Sequence, residues 1–267
     1  MSAEAPELLR PSWPAPAGVG AAFSTRRGGV SAAPYDSFNL RPPGLRGDAL
    51  DAPEAVFENQ RRFAAALGAR PVYLDQVHGA EVVRLRGDEP EHVFARADAS
   101  VSTAVGVACT VLVADCLPVL LCTADGRGVG AAHAGWRGLA GGVVEACATA
   151  LCEATGAAPG ELLAWLGPCI GPRSFEVGQD VVEAFGGDPA AEPDADAPAL
   201  FRPRLRADGQ RRWLADLTAL ARARLAAFGV VQVSGGSWCT VEDGSRFFSF
   251  RRDRITGRMA AAVWRRG

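Results

Sequence analysis

Three β-rich segments that follow one another with little interruption constrain the fold of this chain most strongly. The continuous apolar run 105–114 is followed by the run 119–123, and an Asp125-Gly126 turn leads into the segment 128–133. Short apolar runs between turn residues are typical of buried strands, and the turn predicts a hairpin. The run 105–114 is too short to cross a bilayer. We therefore expect a buried sheet and no membrane span.

Predicted helices are interspersed with these strands. Asp51, Pro53 and Glu54 open a helix that ends at Gly68. Further helices are predicted at 143–155, 180–185 and 213–228. Further strands are predicted at 71–77, 81–85, 162–166, 230–233, 247–251 and 259–264. Because the helices and strands do not alternate strictly, we expect an α+β fold with hairpins.

The length and composition suit one domain. The chain has 267 residues, of which 48% are apolar, which is enough for a sizeable core. We predict a single domain over residues 21–267, after an extended, proline-containing lead-in at 1–20. The stretch 186–199, GGDPAAEPDADAPA, is acidic, small and interrupted by proline. These properties predict a mobile surface loop.

The charge balance and the cysteines indicate the class of protein. The chain carries 28 basic and 30 acidic side chains, a formal net charge of −2. A general nucleic-acid binder needs a basic surplus, so we expect neither a nucleic-acid partner nor a membrane partner. The N-terminus shows no targeting segment, and the seven cysteines show no disulfide framework. We therefore expect a cytoplasmic protein with reduced thiols, of unknown oligomeric state.

Two histidines and one cysteine lie where predicted apolar strands end. His78 stands in DQVHG, Cys116 in ADCLP and His133 in AAHAGWRG. Loops at strand ends on a rigid scaffold commonly carry functional side chains. Two histidines and a cysteine can bind Zn²⁺ and leave its fourth position open, which is the ligand count of a catalytic site. The three lie far apart in sequence, so only the fold can bring them together.

The same residues allow other interpretations. The histidines can be structural and Cys116 a small buried apolar residue. Cys116 can also be a thiolate nucleophile that His133 activates, as in cysteine hydrolases. A His₂Cys set with a weak axial ligand suits copper, and Met259 is the one internal methionine for that position. Three histidines are too few for the several copper centres of a multicopper oxidase, so we do not expect laccase activity.

Several motifs occur together in one order along the chain. They are FSTRRGGVS, PYDSFNL, DQVHG, ADCLPVLL, AAHAGWRG, GPCIGP, FEVG, FFSFRRD and TGRMA, and they span about residues 20–264. In this combination the chain resembles the YfiH family, also called the polyphenol oxidase or laccase-domain family, to which the mammalian protein FAMIN is related. The resemblance implies a single-domain α/β sandwich, similar in its core to the catalytic domain of cytotoxic necrotizing factor. It also implies a Zn²⁺ site on His78, Cys116 and His133.

The resemblance further implies purine nucleoside phosphorolysis, in which adenosine, inosine, guanosine or methylthioadenosine reacts with phosphate to give a base and a ribose 1-phosphate. Adenosine deamination is also attributed to the family, and water activated at an open zinc position would attack C6 of adenine. Some bacterial members are linked to the editing of peptidoglycan precursors. A Cys116-based hydrolase or amidase that acts on such a precursor is therefore the alternative function.

Phosphorolysis requires a bound phosphate and stabilisation of the charge that develops on the ribose. The candidates for holding phosphate are arginines beside glycine-rich backbone, namely Arg26, Arg137 and Arg251. The candidates for proton transfer or for orienting a ligand are the carboxylates Asp75, Asp115 and Glu176. Of these we assign Asp115 to catalysis and Glu176 to substrate binding.

Overall fold

The computed structural model describes residues 5–45, 51–191 and 200–267. The strands in these ranges are β1 (Leu8–Leu9), β2 (Val19–Ser24), β3 (Arg70–Val72), β4 (Val82–Leu85), β5 (Ala99–Ser102), β6 (Val107–Val113), β7 (Leu117–Thr123), β8 (Val129–Ala134), β9 (Leu162–Leu166), β10 (Glu176–Val177), β11 (Phe201–Leu205), β12 (Arg211–Ala215), β13 (Gln232–Gly235) and β14 (Met259–Arg265). The α-helices are α1 (Pro53–Leu67), α2 (Trp136–Ala140), α3 (Val143–Thr155), α4 (Gln179–Ala184), α5 (Leu217–Phe228) and α6 (Phe250–Asp253), and Pro159–Glu161 forms a 3₁₀ turn.

Two large sheets face each other in a sandwich. One has the strand order β1-β2-β14-β6-β3, and the other has the order β13-β9-β7-β8-β5-β4. The core between them contains Phe23, Val111 and Val263 from the first sheet and Leu120 and Trp165 from the second. A separate three-stranded sheet has the order β10-β12-β11. The predicted α+β sandwich is thus confirmed.

Helices cover the outer faces of both sheets. Phe63 and Leu67 of α1 pack with alanines on the outside of the five-stranded sheet. α3 and α5 pack on the other side of the six-stranded sheet, where Val119 and Leu121 of β7 meet them, while Leu120 points into the core between the sheets. Successive side chains of a strand point to opposite faces. Because both faces of β7 are buried, its sequence is a continuous apolar run instead of an alternating one.

The ends of α1 and α3 are as the sequence predicts. Pro53 occupies the first turn of α1, where its missing N–H costs nothing. Gly68 ends that helix at φ 65°, and Gly156 ends α3 at φ 72°. Glycine adopts this left-handed conformation without the steric penalty of a Cβ atom. Strand β1, which pairs with β2, lies within the extended lead-in predicted at 1–20.

The helix predicted at 213–228 is wrong in its first part. Residues Arg211–Ala215 form β12, in which Trp213 and Ala215 are buried and their neighbours are less so. That alternation has the two-residue period of a strand. The helix begins only after Asp216, whose side chain accepts a hydrogen bond from Ala219 N at 2.9 Å and caps α5.

The strand predicted at 247–251 is also wrong. Ser249 accepts a hydrogen bond from Arg252 N and starts the short helix α6 at Phe250. Strand β5 is absent from the sequence-based prediction, since its four small, fully buried residues show no periodicity. The predicted acidic loop at 186–199 falls partly outside the described residues. Within the described ranges, no helix has the length and apolar character needed to cross a membrane.

Candidate metal centre and its cavity

The three predicted metal ligands come together at one end of the six-stranded sheet. Antiparallel pairing of β7 with β8 places Leu117 opposite Ala134, and this register brings Cys116 beside the end of β8, where His133 lies. His78 reaches the same point from the turn between β3 and β4. One ligand atom from each of His78, Cys116 and His133 lies within 4.8 Å of the others. These three residues can therefore hold a metal ion.

Asp98 fixes two of the three ligands. Its Oδ1 lies 2.8 Å from Nδ1 of the buried His133 and accepts a hydrogen bond from His78 N at 2.9 Å. Its Oδ2 accepts hydrogen bonds from Val77 N at 3.0 Å and Gly79 N at 2.7 Å. These bonds hold His78 at φ 61°, which is unusual for a residue other than glycine. A carboxylate on Nδ1 also directs Nε2 of His133 towards a ligand, as in many metal sites.

Asp115 fixes the loop that carries the third ligand. It has φ 97°, a strained conformation for aspartate, directly before Cys116. Its Oδ1 accepts a hydrogen bond from Thr240 Oγ1 at 2.6 Å, and its Oδ2 accepts one from Arg251 N at 2.6 Å. Both carboxylate oxygens are thus engaged by the protein, and the aspartate positions Cys116 relative to two loops.

The charges of the cluster favour an ionised thiol. Burial opposes ionisation of Cys116, but the neighbouring His133 and His78 rings outweigh it and lower the pKa of this thiol to about 6. Burial also disfavours a charged His133, but Cys116 and Asp98 outweigh it and raise the pKa of that imidazole to about 9. A thiolate is the form of cysteine that binds metals and attacks electrophiles.

Gly135 leaves the space that the cluster occupies. A Cβ atom at this position would lie 2.8 Å from Cδ2 of His78 and 2.9 Å from Sγ of Cys116. Its φ of −61° is accessible to any residue, so the glycine is required by close approach and not by its backbone conformation.

One distance within the donor set matches the geometry of a tetrahedral zinc ion. With Zn–N and Zn–S bonds of about 2.05 and 2.3 Å, tetrahedral geometry separates nitrogen from sulfur by about 3.6 Å. The distance between Nε2 of His78 and Sγ of Cys116 is 3.6 Å. Imidazole nitrogen and thiolate sulfur are both preferred zinc ligands, and three protein donors leave one position for a substrate or water.

The cluster forms part of the wall of a cavity of about 340 Å³. This volume lies within the range of small-molecule sites. The other lining residues are two arginines, one carboxylate, one amide, one aromatic ring and several apolar side chains: Arg41, Arg258, Asp75, Gln76, Phe250, Leu45, Leu74, Leu112, Val113 and Ala114. The cavity thus combines apolar walls with a few charged groups, as ligand sites commonly do.

Two arginines contribute positive charge to this cavity. Arg258 donates hydrogen bonds to the carbonyl oxygens of Thr256 and Gly257, at 3.0 and 3.1 Å. Burial and, secondly, the nearby guanidinium of Arg41 lower the pKa of Arg258. Both guanidinium groups are half-buried at the cavity wall, and guanidinium groups bind anions through charge-assisted hydrogen bonds.

The predicted phosphate and substrate residues lie elsewhere. Arg26, Arg137, Arg251, Glu176 and also Asp115 are not among the residues that line the cavity. Arg26 pairs with Asp36, and its guanidinium also donates to the carbonyl oxygen of Gly244. Arg137 is exposed, and its guanidinium carbon lies 4.2 Å from the ring centre of Trp136.

Arg251 and Glu176 are occupied by structural contacts. The guanidinium of Arg251 donates to the carbonyl oxygens of Ser174 and Glu176, at 3.4 and 3.1 Å. The carboxylate of Glu176 forms an ion pair with Arg206. Of the three predicted carboxylates, Asp75 alone lines the cavity. Met259 is fully buried in β14 and also lies outside the cavity lining.

Four residues of the site were not identified from the sequence. Asp98 directly precedes the overlooked strand β5, and nothing in its flanking residues distinguishes it from a surface aspartate. Arg41 lies in an irregular connector. Arg258 and Phe250 stand in the motifs TGRMA and FFSFRRD, which marked the region without assigning these side chains.

Comparisons with known proteins cover nearly the whole chain. A family model described as "Multi-copper polyphenol oxidoreductase laccase" matches residues 20–266. Purine nucleoside phosphorylase PA4543 of Pseudomonas aeruginosa is 51% identical over 256 residues, which are 96% of this chain and 97% of that protein. Purine nucleoside phosphorylase YfiH of Escherichia coli is 49% identical over 260 residues, covering 97% and 98% of the two chains.

Solved structures show the same fold. Protein NMB0706 of Neisseria meningitidis superposes with a TM-score of 0.83 at 44% identity, covering 97% of this chain and 99% of that one. YlmD from Geobacillus stearothermophilus has a TM-score of 0.83 at 33% identity, covering 97% and 96%.

Proposed function

The chain belongs to the YfiH family, whose model is described as a multi-copper polyphenol oxidoreductase laccase, and from that membership we propose that it is a zinc-dependent purine nucleoside phosphorylase. The proposed substrates are adenosine, inosine, guanosine or methylthioadenosine together with phosphate. The observation that carries the proposal is one cavity that holds His78, Cys116 and His133 beside two arginines. The relatives named purine nucleoside phosphorylase support it.

The metal would be held by the three converging side chains. When bound, zinc supplies Lewis-acid chemistry and makes water acidic near neutral pH. Asp98 would keep His133 in the tautomer that presents Nε2, and Asp115 would keep Cys116 in place. Laccase chemistry is not proposed, because the chain has only three histidines. His92 does not join the other two but packs edge-to-face against Phe57, with 5.4 Å between the ring centres.

In phosphorolysis an oxygen of phosphate forms a bond to C1′ of the ribose while the bond from C1′ to the base nitrogen breaks. The electron pair of that bond leaves with the base, which then takes up a proton. We assign phosphate to Arg41 and Arg258, because guanidinium groups bind phosphate through charge-assisted hydrogen bonds. We assign Asp75 to the ribose, where a carboxylate stabilises the positive charge that develops near C1′.

His78→Ala is the first test of the proposal. The variant is expected to lose its bound zinc, because it lacks one of the three ligands. Its rate of hypoxanthine release from inosine and phosphate should fall at least about 100-fold. His92→Ala is the matched control and is expected to keep both its bound zinc and its rate of hypoxanthine release. If purified wild-type protein releases neither hypoxanthine nor ribose 1-phosphate from inosine and phosphate, the phosphorylase proposal fails.

Arg258→Gln tests the phosphate assignment. We expect the KM for phosphate to rise about tenfold or more while the KM for inosine changes little, because a charged hydrogen bond contributes about 1.5–3 kcal/mol. Arg86→Gln, an exposed arginine outside the cavity, serves as the control. A normal KM for phosphate in Arg258→Gln, with a raised value in Arg137→Gln, would instead place phosphate at the start of α2.

Adenosine deamination is a second candidate activity of the same site. The three donors leave a fourth position open, which is the arrangement that hydrolytic zinc enzymes use. Conversion of adenosine to inosine without phosphate would support it, and that conversion should stop in His78→Ala.

The alternative is a hydrolase or amidase that uses Cys116 as nucleophile on a peptidoglycan precursor. The sequence pairs this nucleophile with His133 as its base, and His78, whose Nε2 lies 3.6 Å from Cys116 Sγ, is a second candidate base. Full activity of metal-free protein, together with alkylation of Cys116 by a substrate-like probe, would favour this alternative. Loss of activity together with zinc would exclude it. A cytoplasmic location stays a prediction from the sequence.

A further inference from the structure

Phe250 is an apolar ring held at the edge of the cavity. It is the one phenylalanine, tyrosine or tryptophan among the described residues that line the cavity. Its side chain is 47% exposed, whereas Phe247 and Phe248, a few residues earlier, are fully buried. Leaving this share of a phenyl ring in water forgoes about half of the free energy that its burial would contribute to folding. The position of Phe250 is therefore not explained by core packing.

The backbone fixes the ring relative to the metal ligands. Ser249 accepts a hydrogen bond from Arg252 N at 3.2 Å and so anchors the start of α6. On the other side of Phe250, Arg251 N donates to Asp115 Oδ2 at 2.6 Å. Asp115 directly precedes Cys116, so one hydrogen bond links the segment that carries the ring to the segment that carries the thiolate. The position of the ring is thus set by the same contacts that build the metal centre.

The ring also borders the proposed phosphate position. The guanidinium carbon of Arg258 lies 6.0 Å from the centre of the Phe250 ring. In a phosphorolysis the phosphate attacks the carbon that carries the base, so the base and the phosphate must both reach that one carbon of the ribose. A ring 6.0 Å from Arg258 is close enough to contact a base whose ribose is attacked by a phosphate on Arg258.

We propose that Phe250 is the stacking platform for the purine base of the nucleoside, and hence a specificity-determining residue of this cavity. The proposal rests on the proposed phosphorylase function and adds the position of the base to it. A purine has two fused aromatic rings. Stacking on an aromatic side chain therefore contributes more binding free energy for a purine than for a ribose or a phosphate. The remaining cavity walls offer aliphatic side chains and charged groups, which suit the sugar and phosphate.

The experiment measures binding of inosine by calorimetry in the absence of phosphate, so that the result does not depend on turnover. The proteins are the zinc-loaded wild type, Phe250→Ala, Phe250→Trp and Phe57→Ala. Phe57 is the matched control, because it is a similarly exposed phenylalanine, at 44%, outside this cavity. We expect the Kd to rise about tenfold in Phe250→Ala and to stay within about twofold of wild type in Phe250→Trp and Phe57→Ala.

Kinetics and metal content complete the test. In Phe250→Ala the KM for inosine should rise by a similar factor, while the KM for phosphate and the zinc content stay at wild-type values. An unchanged Kd for inosine in Phe250→Ala would overturn the platform, and so would a wild type that binds no inosine. A wild type that binds inosine in a Phe250-dependent way but releases no hypoxanthine would overturn the phosphorylase function and leave the platform standing.

Discussion

Gly135→Ala is expected to abolish zinc binding at the cluster and to lower phosphorolysis at least about 100-fold, although it adds one methyl group. The new Cβ would lie 2.8 Å from Cδ2 of His78 and 2.9 Å from Sγ of Cys116. Side-chain carbons do not approach other atoms so closely, so at least one of the two ligands must move. A displacement of about 1 Å at a reacting centre costs about 100-fold in rate.

The measurements for Gly135→Ala are zinc per chain and release of hypoxanthine from inosine and phosphate. Gly18→Ala is the matched control, because a Cβ at Gly18 meets nothing within 4 Å. The backbone at Gly135 has φ −61° and ψ 158°, which alanine adopts freely, so the far-UV spectrum should stay that of the wild type. One tightly bound zinc per chain in Gly135→Ala would contradict the geometry of the cluster.

Asp98→Ala is expected to lower both the free energy of unfolding, by about 3–5 kcal/mol, and the zinc affinity, by about 10–100-fold. The carboxylate is fully buried and accepts hydrogen bonds from three consecutive backbone N–H groups, in addition to its contact with His133. Without it these donors lose their charged acceptor, and His78 and His133 lose the group that orients both.

Two measurements separate the effect of Asp98 on stability from its effect on zinc affinity. Denaturant unfolding in excess chelator should already show the loss of stability, since the hydrogen bonds to residues 77–79 do not require a metal. Chelator competition at neutral pH then reports the zinc affinity. Asp208→Ala, an exposed turn aspartate that accepts a hydrogen bond from Gln210 N, should change stability by less than about 0.5 kcal/mol. Equal stability of Asp98→Ala and wild type would show that other groups hold the turn.

Local sequence rules were reliable where an element is determined by its own residues. The boundaries of α1 and α3 follow from Pro53, Gly68 and Gly156, because the conformations of proline and glycine are local properties. The apolar run 119–123 correctly indicated a buried strand, which is β7. The rules failed at β12 and α6, where pairing with a neighbouring strand and a serine cap outweigh the intrinsic preferences of the side chains.

The sequence by itself determined the α+β class, the family and the candidate trio of His78, Cys116 and His133, because residue types and their flanking strand ends are properties of the chain. Only the tertiary structure decided which charges share a cavity with that trio. Arg41 and Arg258 line the cavity, whereas Arg26, Arg137 and Arg251 do not, although all five stand beside loops and look alike in sequence. The physical reason is that strand pairing and loop hydrogen bonds set the direction of each guanidinium over long distances along the chain. The role of Asp98 was likewise decided only by the tertiary structure. Antiparallel pairing of β5 with β8 brings Asp98, which directly precedes β5, next to His133.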